Sequence, residues 1–226
     1  MLKILRAGMY TSLQGGKRIG LRQSGVSYSG ALDGPALEIA NALVGNAAEA
    51  AALEITLGQC EVEFARDCWF ALTGAGCDAM LDGTDVWTGW RFAAKAGQRL
   101  VLNRPRFGVR SYLAVAGGFD LPEVMGSGST DLKTAIGGLE GRLLRDGDML
   151  PPGTPSRSFS AQQGVKLLLW TNRIRADLKS IRLNSSYITT SHAVLFLNKK
   201  YYLHSTVLIP SSVFFLLVLL TLLTLQ

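Results

Sequence analysis

Short runs of alternating apolar and polar residues dominate the chain up to about residue 116, and this alternation is typical of half-buried β-strands. Such runs stand at residues 2–7, 53–57, 61–64, 69–73, 78–81, 99–102 and 111–116, and a further strand-like run stands at 165–170. Turn signals separate several of them, at Asp82-Gly83, Ala96-Gly97, Arg104-Pro105 and Gly117-Gly118. We therefore expect many short strands.

One segment has the periodicity of a helix instead. Apolar residues recur three or four positions apart within residues 34–44. Asp33 can act as the N-cap, Pro35 is tolerated in the first turn, and Gly45 supplies the stop. The spacing predicts a helix over residues 34–44.

Many short strands, close turns and one helix are typical of a mainly β fold, either a β-barrel or a sandwich with a helical cap. Strands and helices do not alternate along the chain, which argues against a doubly wound parallel sheet. The segment Thr73–Gly76 contains no GxGxxG and opens no helix, so it does not predict a dinucleotide site. Residues 1–171 have a suitable length for one domain or a large part of one.

The chain changes character near residue 172. All 25 glycines lie before this point, and six basic residues but one acidic residue follow it. Residues 206–225 are largely apolar and just long enough to span a bilayer, which takes about 20 residues. Lys199-Lys200 precede them as a cytoplasmic flank would. We interpret residues 172–226 as an unrelated, out-of-frame tail, and the alternative is a genuine C-terminal membrane anchor.

Charge and cysteine content limit the classes of function. The formal net charge of +6 resides mostly in residues 172–226, so we expect no nucleic-acid partner. Cys60, Cys68 and Cys77 are odd in number and too widely spaced for a zinc knuckle. We expect them to be reduced, largely buried thiols of a cytoplasmic protein that holds no metal. The apolar run at the N-terminus is too short for a signal peptide.

Residues 1–171 contain no histidine, since His192 and His204 both lie in the tail. Ser–His–Asp and Cys–His catalysis and HExxH zinc sites are therefore excluded there. Glu54 stands in an otherwise apolar strand, where it is either a buried functional acid or an outward-facing residue. The sequence assigns no catalytic residue.

Two polar, glycine-bearing segments could hold an anion. Gly25–Asp33 ends at the predicted helix start, where backbone N–H groups and the helix dipole favour phosphate or carboxylate. Gly126–Thr130 could form an anion nest, although it is not a Walker A loop. The candidate substrate- or phosphate-binding residues are Gly25, Ser27, Gly30, Asp33, Gly126, Ser127, Ser129 and Thr130. In the alternative, Asp33 only caps the helix and the glycines only turn the chain.

Six short motifs occur together in one order. They are Gly25-x-Ser-x-x-Gly-Ala-Leu-Asp33, Ala40-Asn-Ala-Leu-Val-Gly-Asn46, Leu53-Glu-Ile-Thr-Leu-Gly58, Leu72-Thr-Gly-Ala75, Tyr112-Leu-Ala-Val-Ala-Gly-Gly118 and Gly126-Ser-x-Ser-Thr130. In this order and spacing the chain resembles the family of the 5-oxoprolinase C subunit, also called allophanate hydrolase subunit 2 or the biotin-dependent carboxyltransferase family. The resemblance runs from residue 1 to about residue 176.

The resemblance implies a cyclophilin-like β-barrel, of which this chain would hold the first part. It implies one component of an ATP-dependent hydrolase that opens 5-oxo-L-proline to L-glutamate, with ATP activating the amide oxygen for attack by water. The 5-oxoprolinase subunits A and B would be its partners, and the second of these resembles a kinase inhibitor. One alternative is a carboxyltransferase acting on urea-like or amide substrates, with biotin on a separate carrier. Another is a non-enzymatic binding partner of a kinase-inhibitor-like protein.

Two features depart from the family pattern. The glycine-rich segment at residues 14–20 is predicted to be a loop, and the acidic residue that usually follows its glutamine is missing, because Gln14 is followed directly by Gly15-Gly16. Family members are also much longer than the matching part, and residues 177–226 show no resemblance to their second half. We therefore expect the chain to be truncated and inactive on its own, with aberrant membrane association if residues 206–225 insert.

Overall fold

Ten β-strands and one α-helix make up residues 1–165, the part of the chain that the computed structural model describes. The strands are β1 Leu2–Arg6, β2 Tyr10–Gln14, β3 Ala52–Thr56, β4 Cys60–Phe64, β5 Cys68–Leu81, β6 Thr84–Val86, β7 Trp90–Ala94, β8 Arg99–Val115, β9 Met149–Leu150 and β10 Gln163–Gly164. Helix α1 is Gly34–Leu43, and a short 3-10 helix is Arg22–Ser24. The predicted mainly β class is confirmed, while closure into a cyclophilin-like barrel stays a prediction.

The ten strands form one antiparallel sheet. Its main path runs β10, β7, β5, β8, β4, β1, β9, while β3 joins β2 to β8, and β6 pairs with β5. Strands β5 and β8 are the longest and pair from Phe70 with Val115 to Leu81 with Leu100. Phe70 stacks between Phe64 and Phe92, with ring centroids 5.0 and 5.9 Å away. These rings belong to the main hydrophobic core, which also takes in buried side chains of β1, β2, β3 and β8.

Strands β5 and β8 each replace two predicted strands. The runs at 69–73 and 78–81 are one strand, as are those at 99–102 and 111–116. The pairing register shifts between Gly74 and Ala79. Gly74 has φ +85°, and the Arg110 carbonyl occupies the place of its missing side chain. The predicted breaks were wrong because glycine and proline here produce β-bulges instead of turns.

Helix α1 confirms the helix predicted at residues 34–44, with Val44 as its C-cap. Asp33 is its N-cap, and its Oδ1 accepts a hydrogen bond from Ala36 N at 3.1 Å. The buried face of the helix consists of Ala36, Leu37, Ala40, Asn41 and Leu43. Its apolar members pack in one cluster with Ala71 of β5 and with Tyr112 and Ala114 of β8. This packing fixes the start of the helix to the sheet.

Several strands were not predicted. Residues 11–14 of β2 are all buried, and three of the four are polar, so no alternation is visible in the sequence. Strands β6, β9 and β10 are only two or three residues long. Short strands of this kind depend on the neighbours with which they pair, and their own sequence gives little signal.

The three cysteines of the chain are free thiols. Cys60 and Cys77 are buried, and Cys68 is half-buried. Burial raises the pKa of Cys60 to about 12 and that of Cys68 to about 11. The predicted buried, unpaired thiols are confirmed, and their raised pKa values make them poor nucleophiles.

The described residues belong to one compact unit, Met1–Leu167. Within residues 1–165, no helix is long and apolar enough to cross a membrane. The predicted tail, its apolar stretch at 206–225, and all but the first residue of the run at 165–170 lie outside the described residues.

Candidate functional site

The two glycine segments lie side by side. We call residues 25–33 the first loop and residues 126–130 the second loop. The exposed Ser27 of the first loop donates its hydroxyl hydrogen to Asp131, which directly follows the second loop, and Ser27 Oγ lies 2.5 Å from Asp131 Oδ2. Ser29 Oγ lies 3.2 Å from Ser27 Oγ. These contacts place the hydroxyls of the first loop beside a carboxylate from a distant part of the chain.

Asp131 is buried and ionised. The Ser27 hydroxyl holds the pKa of the Asp131 carboxyl below its usual range, and the Lys133 N–H supports it with a hydrogen bond of 3.0 Å. Asp131 is only 5% exposed. Because the Ser27 hydrogen is committed to this carboxylate, the lone pairs of Ser27 Oγ are left to accept hydrogen bonds.

The hydroxyls of the second loop point toward the protein interior. Ser127 and Ser129 both donate to the Gly16 carbonyl, at 2.6 and 3.0 Å. Ser129 Oγ also accepts a hydrogen bond from Gly15 N at 2.8 Å. Thr130 is buried as well. A ligand at the loops would therefore meet the backbone and flanking residues of the second loop rather than its serine hydroxyls.

Arg18 lies between the two loops and is fully buried. Its Nε donates to the Val124 carbonyl at 3.0 Å, and its Nη2 donates to the Ser129 carbonyl at 2.5 Å. Its backbone N–H donates to the Tyr28 carbonyl at 2.8 Å. Burial lowers the pKa of the Arg18 guanidinium, and the charge of Asp131 opposes this effect. Arg18 thus contacts both loops at once.

Buried atoms and backbone strain mark the same region. Within residues 1–165, three buried side-chain atoms near the loops have no hydrogen-bond partner: Gln14 Oε1, Arg18 Nη1 and Thr130 Oγ1. Since buried polar atoms are nearly always satisfied, such atoms indicate water or a ligand. Three non-glycine residues near the loops have left-handed backbone, Ser29, Met125 and Ala135, with φ of 47°, 56° and 54°. Strain of this kind tends to cluster at functional sites.

A second polar cluster fixes the end of the first loop. Glu54 of β3 is 4% exposed, and its Oε2 accepts from Leu32 N at 2.9 Å and from the Tyr112 hydroxyl at 2.7 Å. Its Oε1 accepts from Arg110 at 2.8 Å. The Tyr112 hydroxyl accepts from Asp33 N at 2.8 Å, and burial raises the pKa of Tyr112. Glu54 is therefore buried rather than outward-facing, and it anchors the loop to the sheet, while a functional role for this acid stays a prediction.

The remaining predicted residues differ in their surroundings. Gly25 and Gly126 are exposed, and a side chain added at either would meet open space. Gly30 packs against Lys17 with no room for a side chain. Asp33 is the N-cap of α1, which agrees with the alternative in which this residue caps the helix. The role of the eight predicted residues in binding a ligand stays a prediction.

Cations lie near the loops. Lys17, Arg22 and Lys133 are exposed, and the Arg22 guanidinium lies 5.1 Å from the centroid of the Tyr28 ring. Together with the oriented Ser27 hydroxyl, exposed cations suit a polar, anionic ligand. In the described part of the chain, no group of three or more His, Cys, Asp or Glu side chains is placed to hold a metal ion.

Similarity to known protein families covers the region that holds this site. The family described as carboxyltransferase domain, subdomain A and B, matches residues 24–206. This match covers more than half of the chain and includes both loops. The chain belongs to this carboxyltransferase domain family. Its resemblance to the family of the 5-oxoprolinase C subunit is also confirmed by the relatives that follow.

Two relatives of this chain have names that describe different enzymes. The 5-oxoprolinase C subunit from Escherichia coli (strain K12) is 70% identical over 176 residues, which cover 78% of this chain and 57% of that protein. A putative urea carboxylase from Emericella nidulans is 40% identical over 154 residues, which cover 66% of this chain and 12% of that protein. The chain therefore spans little more than half the length of the first relative.

A solved structure contains a part with a similar fold. The K. lactis urea amidolyase aligns with a TM-score of 0.66 and 33% identity, over 72% of this chain and 10% of that chain. The fold of this chain is therefore similar to that of one part of the urea amidolyase.

Three residues of the site could not be selected from the sequence: Arg18, Arg110 and Asp131. Asp131 directly follows the second loop, and this adjacency was the available signal. Arg18 stands in a polar, glycine-rich segment that was predicted to be a loop. Its partners Val124 and Ser129 are 106 and 111 positions away, so nothing local indicates its burial.

Proposed function

We propose that this chain supplies part of the C subunit of an ATP-dependent 5-oxoprolinase, which opens the lactam of 5-oxo-L-proline to give L-glutamate. The observation that carries the proposal is the 70% identity to the E. coli 5-oxoprolinase C subunit over 176 residues. Because the chain spans 57% of that protein, the proposal concerns the share of the enzyme that these residues contribute.

The geometry of the loops supports a small polar substrate. The substrate 5-oxo-L-proline carries a carboxylate, a lactam carbonyl and a lactam N–H. Ser27 Oγ, whose hydrogen is directed to Asp131, can accept the lactam N–H. The exposed Lys17 and Lys133 supply positive charge for the carboxylate. We place the substrate between the two loops and assign no proton transfer to any residue.

ATP, when bound, would supply the phosphoryl group that activates the amide oxygen for attack by water. The described residues do not by themselves fit its phosphates. The hydroxyls of Ser127 and Ser129, and two nitrogens of Arg18, already bond to backbone carbonyls. We therefore derive no step through ATP from residues 1–165, and we expect other parts of the assembly to hold it.

The 5-oxoprolinase subunits A and B are the proposed partners, and the second of these is the kinase-inhibitor-like one. The E. coli relative is named as one lettered component of a 5-oxoprolinase, which indicates an assembly of several subunits. In this proposal the chain acts only in complex with them.

Substrate binding tests the proposal directly. Isothermal titration of the purified chain with 5-oxo-L-proline, in the presence of subunits A and B, should give saturable binding. L-Proline, which lacks the lactam carbonyl, is the matched control and should bind at least tenfold more weakly. Ser27→Ala should weaken 5-oxo-L-proline binding, while Arg104→Ala, at an exposed position of β8, should not. Equal binding of both compounds would contradict the proposal.

A biotin-dependent carboxyltransferase is the second candidate. It is favoured by the carboxyltransferase family match and by the urea carboxylase relative. Its substrate would be urea or a related amide, and biotin would arrive on a separate carrier. Urea-dependent consumption of carboxybiotin, without any turnover of 5-oxo-L-proline, would favour this candidate. Tight binding to the kinase-inhibitor-like partner without turnover of either substrate would favour a non-enzymatic binding protein.

A further inference from the structure

We propose that Arg18 is a positioning residue, which holds the two loops of the substrate site in register; the inference rests on the proposed function. Its guanidinium donates to the carbonyls of Val124 and Ser129, and Nη2 lies 3.5 Å from the Ser127 carbonyl. Three carbonyls of one short segment therefore converge on a single side chain. This convergence fixes the curvature of the second loop.

The segment that carries Arg18 also holds the first loop. The backbone N–H of Arg18 donates to the Tyr28 carbonyl at 2.8 Å, and Ala31 N donates to the Gly15 carbonyl at 3.2 Å. The first loop is thus attached to residues 15–18 by its backbone. Arg18 consequently couples the first loop, through its main chain, to the second loop, through its side chain.

Arginine suits this position better than lysine. The planar guanidinium presents several N–H donors in fixed directions, while an ammonium group offers a compact charge on a flexible stem. Burying a cation away from any directly contacting carboxylate is costly unless its donors are satisfied. At this site carbonyl oxygens provide most of that compensation, so the contacts determine how Val124 and Ser129 must lie.

Two glycines lie close to the guanidinium and to the second loop. Gly137 has φ +70°, and a side chain there would overlap both the Ser129 carbonyl and Arg18 Nη2. At Gly138 a side chain would overlap the Thr130 hydroxyl. The absence of a side chain at Gly137 is therefore needed for the close approach of Arg18, and its absence at Gly138 for that of Thr130.

Hydrogen–deuterium exchange of the full chain tests the inference without requiring activity. The reporters are Ala31 N–H in the first loop and Thr130 N–H in the second, which donate to the Gly15 and Leu13 carbonyls. In Arg18→Ala we expect both to exchange at least tenfold faster, with amides of the β5–β8 pair unchanged. Methylguanidinium should restore protection by occupying the vacated space, and Arg104→Ala should exchange like the unsubstituted chain.

Arg18→Lys keeps the charge and should fold even if Arg18→Ala does not. We expect it to leave the β5–β8 amides protected, to speed exchange in both loops, and to weaken 5-oxo-L-proline binding at least fivefold. Unchanged loop exchange in Arg18→Lys, or an equal rise throughout residues 1–165, would overturn the inference. If the unsubstituted chain does not bind 5-oxo-L-proline, the proposed function fails, while the exchange data still decide the role of Arg18.

Discussion

The Ser27 hydroxyl donates a hydrogen bond to Asp131 across 104 positions of sequence, with Oγ and Oδ2 2.5 Å apart. This contact joins the first loop to the residue that directly follows the second loop, and the sequence marks both loops independently as glycine-bearing and polar. Because the Ser27 hydrogen is directed to the buried Asp131 carboxylate, the lone pairs of the exposed Ser27 Oγ remain available to accept a hydrogen bond. The pair is the structural centre of the proposed substrate site.

Asp131 should make stability depend on pH in the acidic range. Its folded pKa is lowered, chiefly by the Ser27 hydroxyl. Its contribution is therefore fully present above the unfolded carboxyl pKa of about 4 and disappears as pH falls through that value toward the folded pKa. Urea unfolding should show Asp131→Asn clearly less stable than the unsubstituted chain at pH 7, with a smaller difference at pH 3. A difference independent of pH would contradict this account.

Asp33 should behave as a helix cap in stability measurements. Its Oδ1 accepts the Ala36 N–H, so Asp33→Ala should lower the free energy of unfolding by about 0.5–2 kcal/mol. Asn caps about as well as Asp, and Asp33→Asn should therefore restore stability. If Asp33→Asn also restores substrate binding, Asp33 is only a cap. If binding remains lost, the carboxylate itself belongs to the site.

Gly137 and Gly126 form a matched pair for substitution by alanine. Their φ values are similar, +70° and +72°, so each should incur left-handed backbone strain of about 1–2 kcal/mol. At Gly137 the added methyl group would also overlap the Ser129 carbonyl and Arg18, whereas Gly126 faces open space. We expect Gly137→Ala to cost about 1–3 kcal/mol more than Gly126→Ala in thermal or urea unfolding. Equal costs would show that Arg18 and the Ser129 carbonyl shift freely to make room.

Glu54 should be the more costly member of the second cluster to remove. Glu54→Ala leaves Leu32 N, the Tyr112 hydroxyl and Arg110 without their acceptor. Breaking a buried ion pair costs about 3–5 kcal/mol. Because the Arg110 side chain is 26% exposed, water can partly replace its partner, and we expect the lower end of this range. Tyr112→Phe should cost about 1–3 kcal/mol, and the reverse order would contradict the assigned contacts.

The helix and five of the ten strands, β1, β3, β4, β5 and β8, could be predicted because their signals are local. Asp33, Pro35 and Gly45 mark the ends of α1 within the sequence itself. The breaks predicted near Gly74 and Pro105 were wrong, because a partner strand can absorb such residues as bulges. Pairing between distant strands decided these positions, and no local pattern reveals it.

The glycine loops could be selected from the sequence, but the hydrogen-bond partners of their side chains could not. Ser127 and Ser129 appeared suited to a ligand, yet their hydroxyls bond to Gly16. Arg18 stands in a segment predicted to be a loop, yet its side chain is fully buried. In both cases the partner lies more than 100 positions away, so only the folded chain brings the two together.

Turnover by a chimera tests the central claim most directly. The segment of the E. coli 5-oxoprolinase C subunit that matches this chain would be replaced by residues 1–176 of this chain, and the product combined with subunits A and B. With 5-oxo-L-proline and ATP, the account predicts L-glutamate formation comparable to that of the parent protein, and its loss on Asp131→Asn. A folded chimera that binds subunits A and B yet forms no glutamate would contradict the account.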